Sequence, residues 1–141
     1  MQEGWLGDNY LILFSGSEAE TASQRYALSE ALPRYMLLGI AGWDDFIVRD
    51  SSGRTYRVPT VPLDPDLLTP FDLPDDPATL QTDVRFTGKI KWYVKPIVFG
   101  GDPDIGDNLT WVTHEQHAPL VAWWNQQYRA LKPGRGGGLE T

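Results

Sequence analysis

Three short apolar runs in the first half of the chain carry its clearest structural signal. They occupy residues 35–38 (YMLL), 46–48 (FIV) and 55–58 (TYRV). Residues 50–53 separate the last two runs, and a glycine that closes a short polar loop is typical of a hairpin, because glycine readily adopts the left-handed backbone. Since alternate strand residues share a face, Phe46 and Val48 are expected to join Tyr56 and Val58 around a common core.

Two other segments have the spacing of amphipathic helices. Residues 18–31 follow the S-x-x-E capping pattern of Ser17 and Glu20, and Pro33 is expected to end that helix. Residues 120–131 place apolar side chains along one stripe, after a second capping pattern formed by Thr113 and Gln116. Pro119 leaves two starting points open, because a helix either tolerates an internal proline or begins with it.

The remaining apolar runs predict further strands at residues 9–14, 89–94, 96–99 and 109–112. Together the elements predict an α+β fold, in which a mainly antiparallel twisted sheet packs with a helix from the N-terminal half and a C-terminal helix. The length favours one domain over residues 1–133, followed by a flexible glycine-rich tail over residues 134–141.

Charge and composition limit the possible functions. The chain of 141 residues has a formal net charge of −7 and no cysteine, which excludes disulfides and thiolate metal ligands. An acidic protein lacks the cationic surplus that binding to nucleic acid needs, and it suits a basic protein partner instead. No apolar run is long enough to cross a bilayer and no secretory signal is visible, so we expect a cytoplasmic protein without a membrane partner.

A proline- and aspartate-rich segment follows the hairpin, over residues 59–83, and it contains no lysine or arginine. Its apolar residues predict an ordered loop on the surface: Leu63, Leu67, Leu68, Phe71 and Leu73. Whether this segment faces solvent or pairs with Lys89, Lys91 and Lys95 stays open. An aromatic residue flanked by carboxylates is a reasonable binding arrangement. We therefore predict a partner-binding surface of Trp43, Asp44, Asp45, Asp64, Asp66, Asp72, Asp75 and Asp76.

Catalytic and metal-binding patterns are weak. His114 and His117 are three residues apart, whereas the zinc-protease pattern H-E-x-x-H needs four, and the chain has no third histidine. The oxygen-rich residues 102–108 lack the glycine and glutamate positions of a calcium-binding EF-hand loop. We expect no catalytic residue, no metal and no cofactor, and a core role for most tryptophans, with Trp5 and Trp43 the more exposed.

The motifs around the hairpin resemble those of the SUKH superfamily. A helix is followed by L-P-x-Y, an apolar strand, a G-x-x-G segment, an I-V-x-D strand and a G-x-x-Y-x-V-P strand. The matching residues are Leu32, Pro33, Tyr35, Gly39, Gly42, Phe46, Ile47, Val48, Asp50, Gly53, Tyr56, Val58 and Pro59. The resemblance covers residues 4–64 and implies an immunity protein, which neutralises a toxin domain such as a nuclease or deaminase and does no chemistry itself.

Two other classes of function remain as alternatives. The histidine pair or the tryptophans are compatible with a small metal-dependent hydrolase or a carbohydrate-binding module. Eukaryotic relatives implied by the resemblance favour a regulatory adaptor instead.

Overall fold

A computed structural model of the protein describes residues 2–76, 79–102 and 108–131. Its elements in chain order are β1 (Gln2–Leu6), β2 (Asn9–Leu13), α1 (Ser17–Arg25), β3 (Met36–Ala41), β4 (Asp45–Arg49), β5 (Thr55–Pro59), β6 (Thr69–Pro70), β7 (Ile90–Tyr93), β8 (Leu109–Val112) and α2 (His114–Leu131).

The main sheet contains six antiparallel strands in the order of the chain, from β1 at one edge to β6 at the other. Strands β7 and β8 form a second, antiparallel sheet. The α+β prediction is confirmed, and so is the central hairpin, in which Phe46 pairs with Val58 and Val48 pairs with Tyr56. The N-terminal strand β1 was not expected, because its sequence QEGWL mixes polar residues and glycine with only two apolar side chains.

One face of the main sheet carries the principal core. Both helices and the second sheet pack on it, around fully buried residues such as Ile12, Phe46 and Val121. A register shift between Leu37 and Gly39 lets Leu37 and Ile40 both join this core. A side chain at Gly39 would lie 2.2 Å from the Ile12 carbonyl oxygen, so only glycine lets the neighbouring strands approach this closely.

We call the proline- and aspartate-rich segment of residues 59–83 the acidic segment. Its residues Phe71, Leu73 and Leu80 pack on the opposite face of the main sheet, whereas Leu63 belongs to the principal core. The Phe71 amide donates to the Thr55 carbonyl at the β5 side (3.2 Å), and Gln81 exchanges two backbone hydrogen bonds with Trp5 of β1. Between these points Leu73 and Leu80 pack in a second cluster of buried residues, which contains Leu11, Ala41 and Ile47. Over the described residues 59–76 and 79–83, the segment lies on the surface as predicted, although it includes the short strand β6 and leaves Leu67 exposed.

Helix α1 differs from its predicted bounds and cap. It ends at Arg25, and Ala27 then adopts a left-handed backbone (φ 53°) before a 3₁₀ turn at Leu28–Glu30. The predicted Ser17 cap is wrong, because the Glu18 carboxylate accepts hydrogen bonds from the amide and hydroxyl of Ser15. The polar residues on both sides of Gly16 offer competing caps, and the pattern alone does not choose between them.

Two predictions concern the C-terminal half. Helix α2 begins at His114 and contains Pro119, so the start at Pro119 is wrong. The Thr113–Gln116 capping box is confirmed, since the Thr113 amide donates to the Gln116 side chain (3.0 Å) and the Gln116 amide donates to the Thr113 hydroxyl (3.2 Å). The strand predicted for residues 96–99 is wrong, because a 3₁₀ turn at Ile97–Phe99 follows Pro96.

Two further sequence predictions concern membrane crossing and the C-terminal tail. Within the described parts of the chain, no helix combines the length and apolar character that a membrane crossing requires. The predicted flexible tail at residues 134–141, and most of the rejected calcium pattern, lie outside the described residues.

Candidate functional site

The turn between β3 and β4 is the centre of the candidate site. Ala41 pairs with Asp45, which leaves Gly42, Trp43 and Asp44 to form the turn. Gly42 and Trp43 have left-handed backbones (φ 59° and 64°), a conformation that is unusual for a bulky residue such as tryptophan. The Gly42 amide donates to the Tyr10 carbonyl of β2 (2.8 Å), and the amide of Thr60, directly after β5, donates to the Asp44 carbonyl (2.9 Å). These two hydrogen bonds fix the position of the turn.

The Trp43 ring lies in a cluster of five aromatic side chains. It stacks on Tyr10, with 5.2 Å between ring centroids and 13° between planes. Its other contacts are edge-to-face, with Trp5, Phe86 and Trp111 at 6.0, 5.2 and 5.3 Å. Its indole nitrogen is enclosed and meets no hydrogen-bond acceptor among the described residues. These packed rings hold the Trp43 side chain in one position.

The expected exposure of the tryptophans is wrong. Trp5 and Trp43 are half-buried, whereas Trp111 and Trp123 are exposed. Trp92, in contrast, is buried as expected. Sequence reasoning placed Trp43 in solvent because it lies in a turn, but the turn folds back against the rings of Trp5, Tyr10 and Phe86.

A groove of about 330 Å³ opens beside this turn. Its lining includes Trp43 and Asp44 of the turn, Tyr93 of β7, and Ile97 and Val98 of the 3₁₀ turn that follows β7. Its lining also includes Pro59, Val61, Pro62 and Pro96. Ile97 and Val98 are 52% and 43% exposed, so the groove presents apolar side chains directly to solvent. Apolar surface of this kind, next to a charged group, is typical of a protein-binding site.

Asp44 is the acidic group of the groove. Its side chain is 47% exposed, and the Lys91 ammonium lies 3.9 Å from its Oδ2 atom. Partial burial raises the pKa of Asp44 above its usual value, while the charge of Lys91 acts in the opposite direction. Lys91 Nζ also lies 5.8 Å from the Trp43 ring centroid and 5.7 Å from that of Tyr93. A carboxylate and two rings therefore surround one cation.

The neighbouring Asp45 is engaged within the fold. Its carboxylate forms an ion pair and hydrogen bond with the Arg57 guanidinium, and only about a quarter of each side chain is exposed. Arg57 in turn lies over the Phe71 ring, 5.7 Å from its centroid. Asp45 therefore holds the Arg57 guanidinium, which in turn contacts Phe71, and Asp45 supplies less exposed charge than Asp44.

The other predicted carboxylates do not lie beside the groove turn. Asp64 is only 3% exposed: it accepts hydrogen bonds from the Asp66 amide (2.9 Å) and the Tyr128 hydroxyl (3.0 Å), which removes it from any exposed surface. Asp72, Asp75 and Asp76 are exposed on the segment that crosses the second face of the main sheet. Asp66 is exposed in the 3₁₀ turn Pro65–Leu67. The eight predicted residues thus lie in three separate places. Trp43, Asp44 and Asp45 lie at the turn between β3 and β4, Asp64 and Asp66 lie at the 3₁₀ turn Pro65–Leu67, and Asp72, Asp75 and Asp76 lie on the second face.

The two histidines have structural surroundings. His117 is fully buried, and its Nδ1 atom lies 2.6 Å from the hydroxyl of Tyr26, the residue directly after α1. We assign the hydroxyl as the donor, because the opposite assignment leaves the hydroxyl proton without an acceptor. His117 Nε2 has no hydrogen-bond partner among the described residues in either assignment. Burial, and then the charge of His114, lower the pKa of His117 to about 3, so the ring is neutral. Sequence analysis missed Tyr26 as its partner, because 91 residues separate the two.

No grouping of three or more potential metal ligands occurs among the described residues. His114 is half-buried, and its Nε2 atom has no hydrogen-bond partner within the described structure. The pair packs against the rings of Phe14, Tyr26 and Trp92. This arrangement places the imidazoles in the packing between α1, α2 and the two sheets.

No protein-family model, curated protein or solved structure gives a match to this chain. The resemblance to the SUKH superfamily therefore stays a prediction.

Proposed function

We propose that this protein is a non-enzymatic immunity protein of the SUKH type, which acts in the cytoplasm by binding and neutralising a basic toxin domain, such as a nuclease or deaminase. The observation that carries the proposal is the groove beside Trp43 and Asp44. There an exposed carboxylate adjoins exposed apolar side chains, in a chain whose net charge is −7.

The groove combines the two features that protein recognition needs. Burial of its apolar lining by a partner lowers the free energy of the complex, because water is released from that surface. Ile97 and Val98 are already exposed and need no rearrangement to make such contacts. The turn is held rigidly by its hydrogen bonds and by the aromatic cluster, so little conformational entropy is lost when a partner binds. A rigid apolar site with a charged edge favours recognition of a folded partner.

The remaining exposed carboxylates act at longer range. Asp66, Asp72, Asp75 and Asp76 lie away from the groove, and with the net negative charge they attract a basic partner during diffusion. Their individual removal is expected to slow association and to change dissociation little. Asp44, in contrast, is expected to contact the partner directly.

The test expresses the products of the genes that flank this one, among which we expect a toxin domain, and mixes that purified domain with the full chain. We expect neutralisation of the toxin activity at a 1:1 ratio, with an affinity that falls as salt is added. Substitution of Ile97 and Val98 by serine is expected to weaken binding at all salt concentrations, since it removes apolar contact.

A control variant replaces Asp72 and Asp75 by asparagine. It removes two exposed negative charges that lie away from the groove and leaves the apolar lining intact. This control should change the association rate and its salt dependence only. Neutralisation that is absent, or that is unaffected by both salt and the groove substitutions, would contradict the proposed function.

A further inference from the structure

We propose that Asp44, Trp43 and Tyr93 form a subsite for an arginine side chain of the partner, which enters by displacing the ammonium of Lys91. The subsite depends on the function proposed above for the nature of the molecule that carries the arginine. Its cation-binding chemistry depends only on the contacts around Lys91.

The protein itself places a cation in this subsite. Lys91 Nζ lies within 6 Å of the centroids of the Trp43 and Tyr93 rings and 3.9 Å from Asp44 Oδ2. A positive charge at such distances is attracted to the electron-rich faces of aromatic rings, and the carboxylate adds a direct Coulomb attraction. Two rings and one carboxylate therefore create a local preference for a cation, and Lys91 occupies it within the free chain.

Lys91 fits this place poorly. A separation of 3.9 Å is too long for a hydrogen bond, and the Asp44 carboxylate accepts no hydrogen bond from any described side chain or amide. An ion pair of this length between side chains that both reach solvent contributes little, and the long lysine side chain can rotate away into water. Displacement of Lys91 is therefore expected to cost little.

An arginine satisfies the same groups better than lysine does. Its planar guanidinium can lie flat on an aromatic ring and still donate two parallel hydrogen bonds to one carboxylate. Partial burial takes the charged Asp44 carboxylate away from water, which raises its pKa. Two hydrogen bonds from an arginine would replace the lost contacts with water. The adjoining apolar lining, with Ile97 and Val98 exposed at its edge, accommodates an apolar residue next to that arginine.

The net charge of the chain indicates which kind of partner would carry this arginine. The chain carries 19 acidic and 12 basic residues, so a basic protein surface is attracted and an acidic one is repelled. A partner that presents an arginine beside an aliphatic residue matches both halves of the groove. Lys91 would then act as an internal competitor that keeps the subsite occupied until the partner arrives.

The experiment titrates the full chain with the peptide acetyl-Leu-Arg-amide and follows the indole N–H resonance of Trp43 by NMR. The control peptide replaces arginine by citrulline, which has the same shape without the charge. We expect saturable binding of the arginine peptide and a loss of about tenfold or more for Asp44→Asn, the change expected when a charge-assisted hydrogen bond is removed. Lys91→Met is expected to tighten binding several-fold, because the internal competitor is gone.

Asp72→Asn serves as the matched variant, since it removes one exposed carboxylate from another part of the surface and should leave peptide affinity unchanged. Equal binding of the arginine and citrulline peptides would overturn the subsite. So would unchanged affinity in Asp44→Asn, weaker binding in Lys91→Met, or no spectral change with arginine peptide at about 10 mM, well above ordinary millimolar affinities. Self-association of the free chain that disappears in Asp44→Asn would assign the groove to a second copy instead.

The same variants separate the two proposals. If the toxin domain is neutralised equally by wild type, Asp44→Asn and Lys91→Met, the arginine subsite is wrong and the immunity function stands. If the arginine peptide binds as expected while no toxin domain is neutralised, the subsite stands and the proposed function is wrong.

Discussion

Two polar contacts against aromatic rings differ in their access to water. His117 and Tyr26 form a hydrogen bond in the core between the helices. Asp44 and Lys91 instead form an ion pair in the lining of the solvent-exposed groove. In the core no solvent can replace a missing partner, so the His117–Tyr26 bond helps to specify how α1 meets α2. At the groove water can solvate both charges, and they remain able to exchange partners. Similar chemistry thus supports the fold in one place, and in the other it is available for the proposed binding of a partner.

The largest expected effect tests the buried side of this comparison. His117→Ala removes a fully buried ring and leaves the Tyr26 hydroxyl without its partner. We expect the free energy of unfolding to fall by about 3 kcal/mol, from the cavity together with the unpaired hydroxyl. Chemical denaturation monitored by circular dichroism measures this change.

The control for that measurement is Glu115→Ala, an exposed position on the same helix, which should change stability by less than about 0.5 kcal/mol. A loss below about 1 kcal/mol in His117→Ala would contradict a structural role for the buried pair.

Acid provides the next test, because the pKa of His117 is lowered from an ordinary 6.5 to about 3. Between these values the unfolded chain binds a proton that the folded chain does not, so stability is complete above about pH 6.5 and falls as the pH falls toward 3. The expected loss is about 2 kcal/mol at pH 5 relative to neutral pH. Denaturation curves recorded across this range measure it.

In His117→Gln the free energy of unfolding should change little between pH 5 and 6.5. In His114→Gln it should keep most of the pH dependence of the wild type. The pKa of His114 is also lowered by its partial burial, so its contribution has the same sign and must be measured separately. Equal slopes in wild type and His117→Gln between pH 5 and 6.5 would exclude His117 as the source.

The smallest expected effect tests the exposed side of the comparison. Asp44→Asn and Lys91→Met each break a pair whose charges are 3.9 Å apart near solvent. We expect the unfolding free energy to change by less than about 0.5 kcal/mol. Thermal unfolding at two salt concentrations measures it, and a loss above about 1.5 kcal/mol would mean that the pair supports the fold, as His117 and Tyr26 do.

Local pattern was sufficient for the elements that organise the main sheet. The hairpin of β4 and β5 has the predicted pairing, because its alternating residues and its polar loop with Gly53 act over a few neighbours. The α2 capping box was equally readable, since its two partners are three residues apart. The cap of α1 was misplaced because Ser15 and Ser17 offered similar local signals.

The surroundings of the candidate site residues were predicted less well than the fold. Aspartate content correctly marked an acidic segment, but it did not distinguish Asp64, which is enclosed beside Tyr128, from exposed Asp72. Nor did it indicate that Asp45 pairs with Arg57. These outcomes depend on contacts between residues that are distant in sequence, and composition does not encode them.

The sequence by itself determined the fold class, the central hairpin, the C-terminal helix and the excess of negative charge. These properties follow from periodicity, capping residues and ionisable groups, which act locally or simply add up. Only the tertiary structure decided that Trp43 packs among other rings, that Tyr26 is the partner of His117, and that Lys91 lies between Asp44 and two aromatic rings. Each of these is a contact between separate elements, and its existence depends on how the strands and helices pack around a common core.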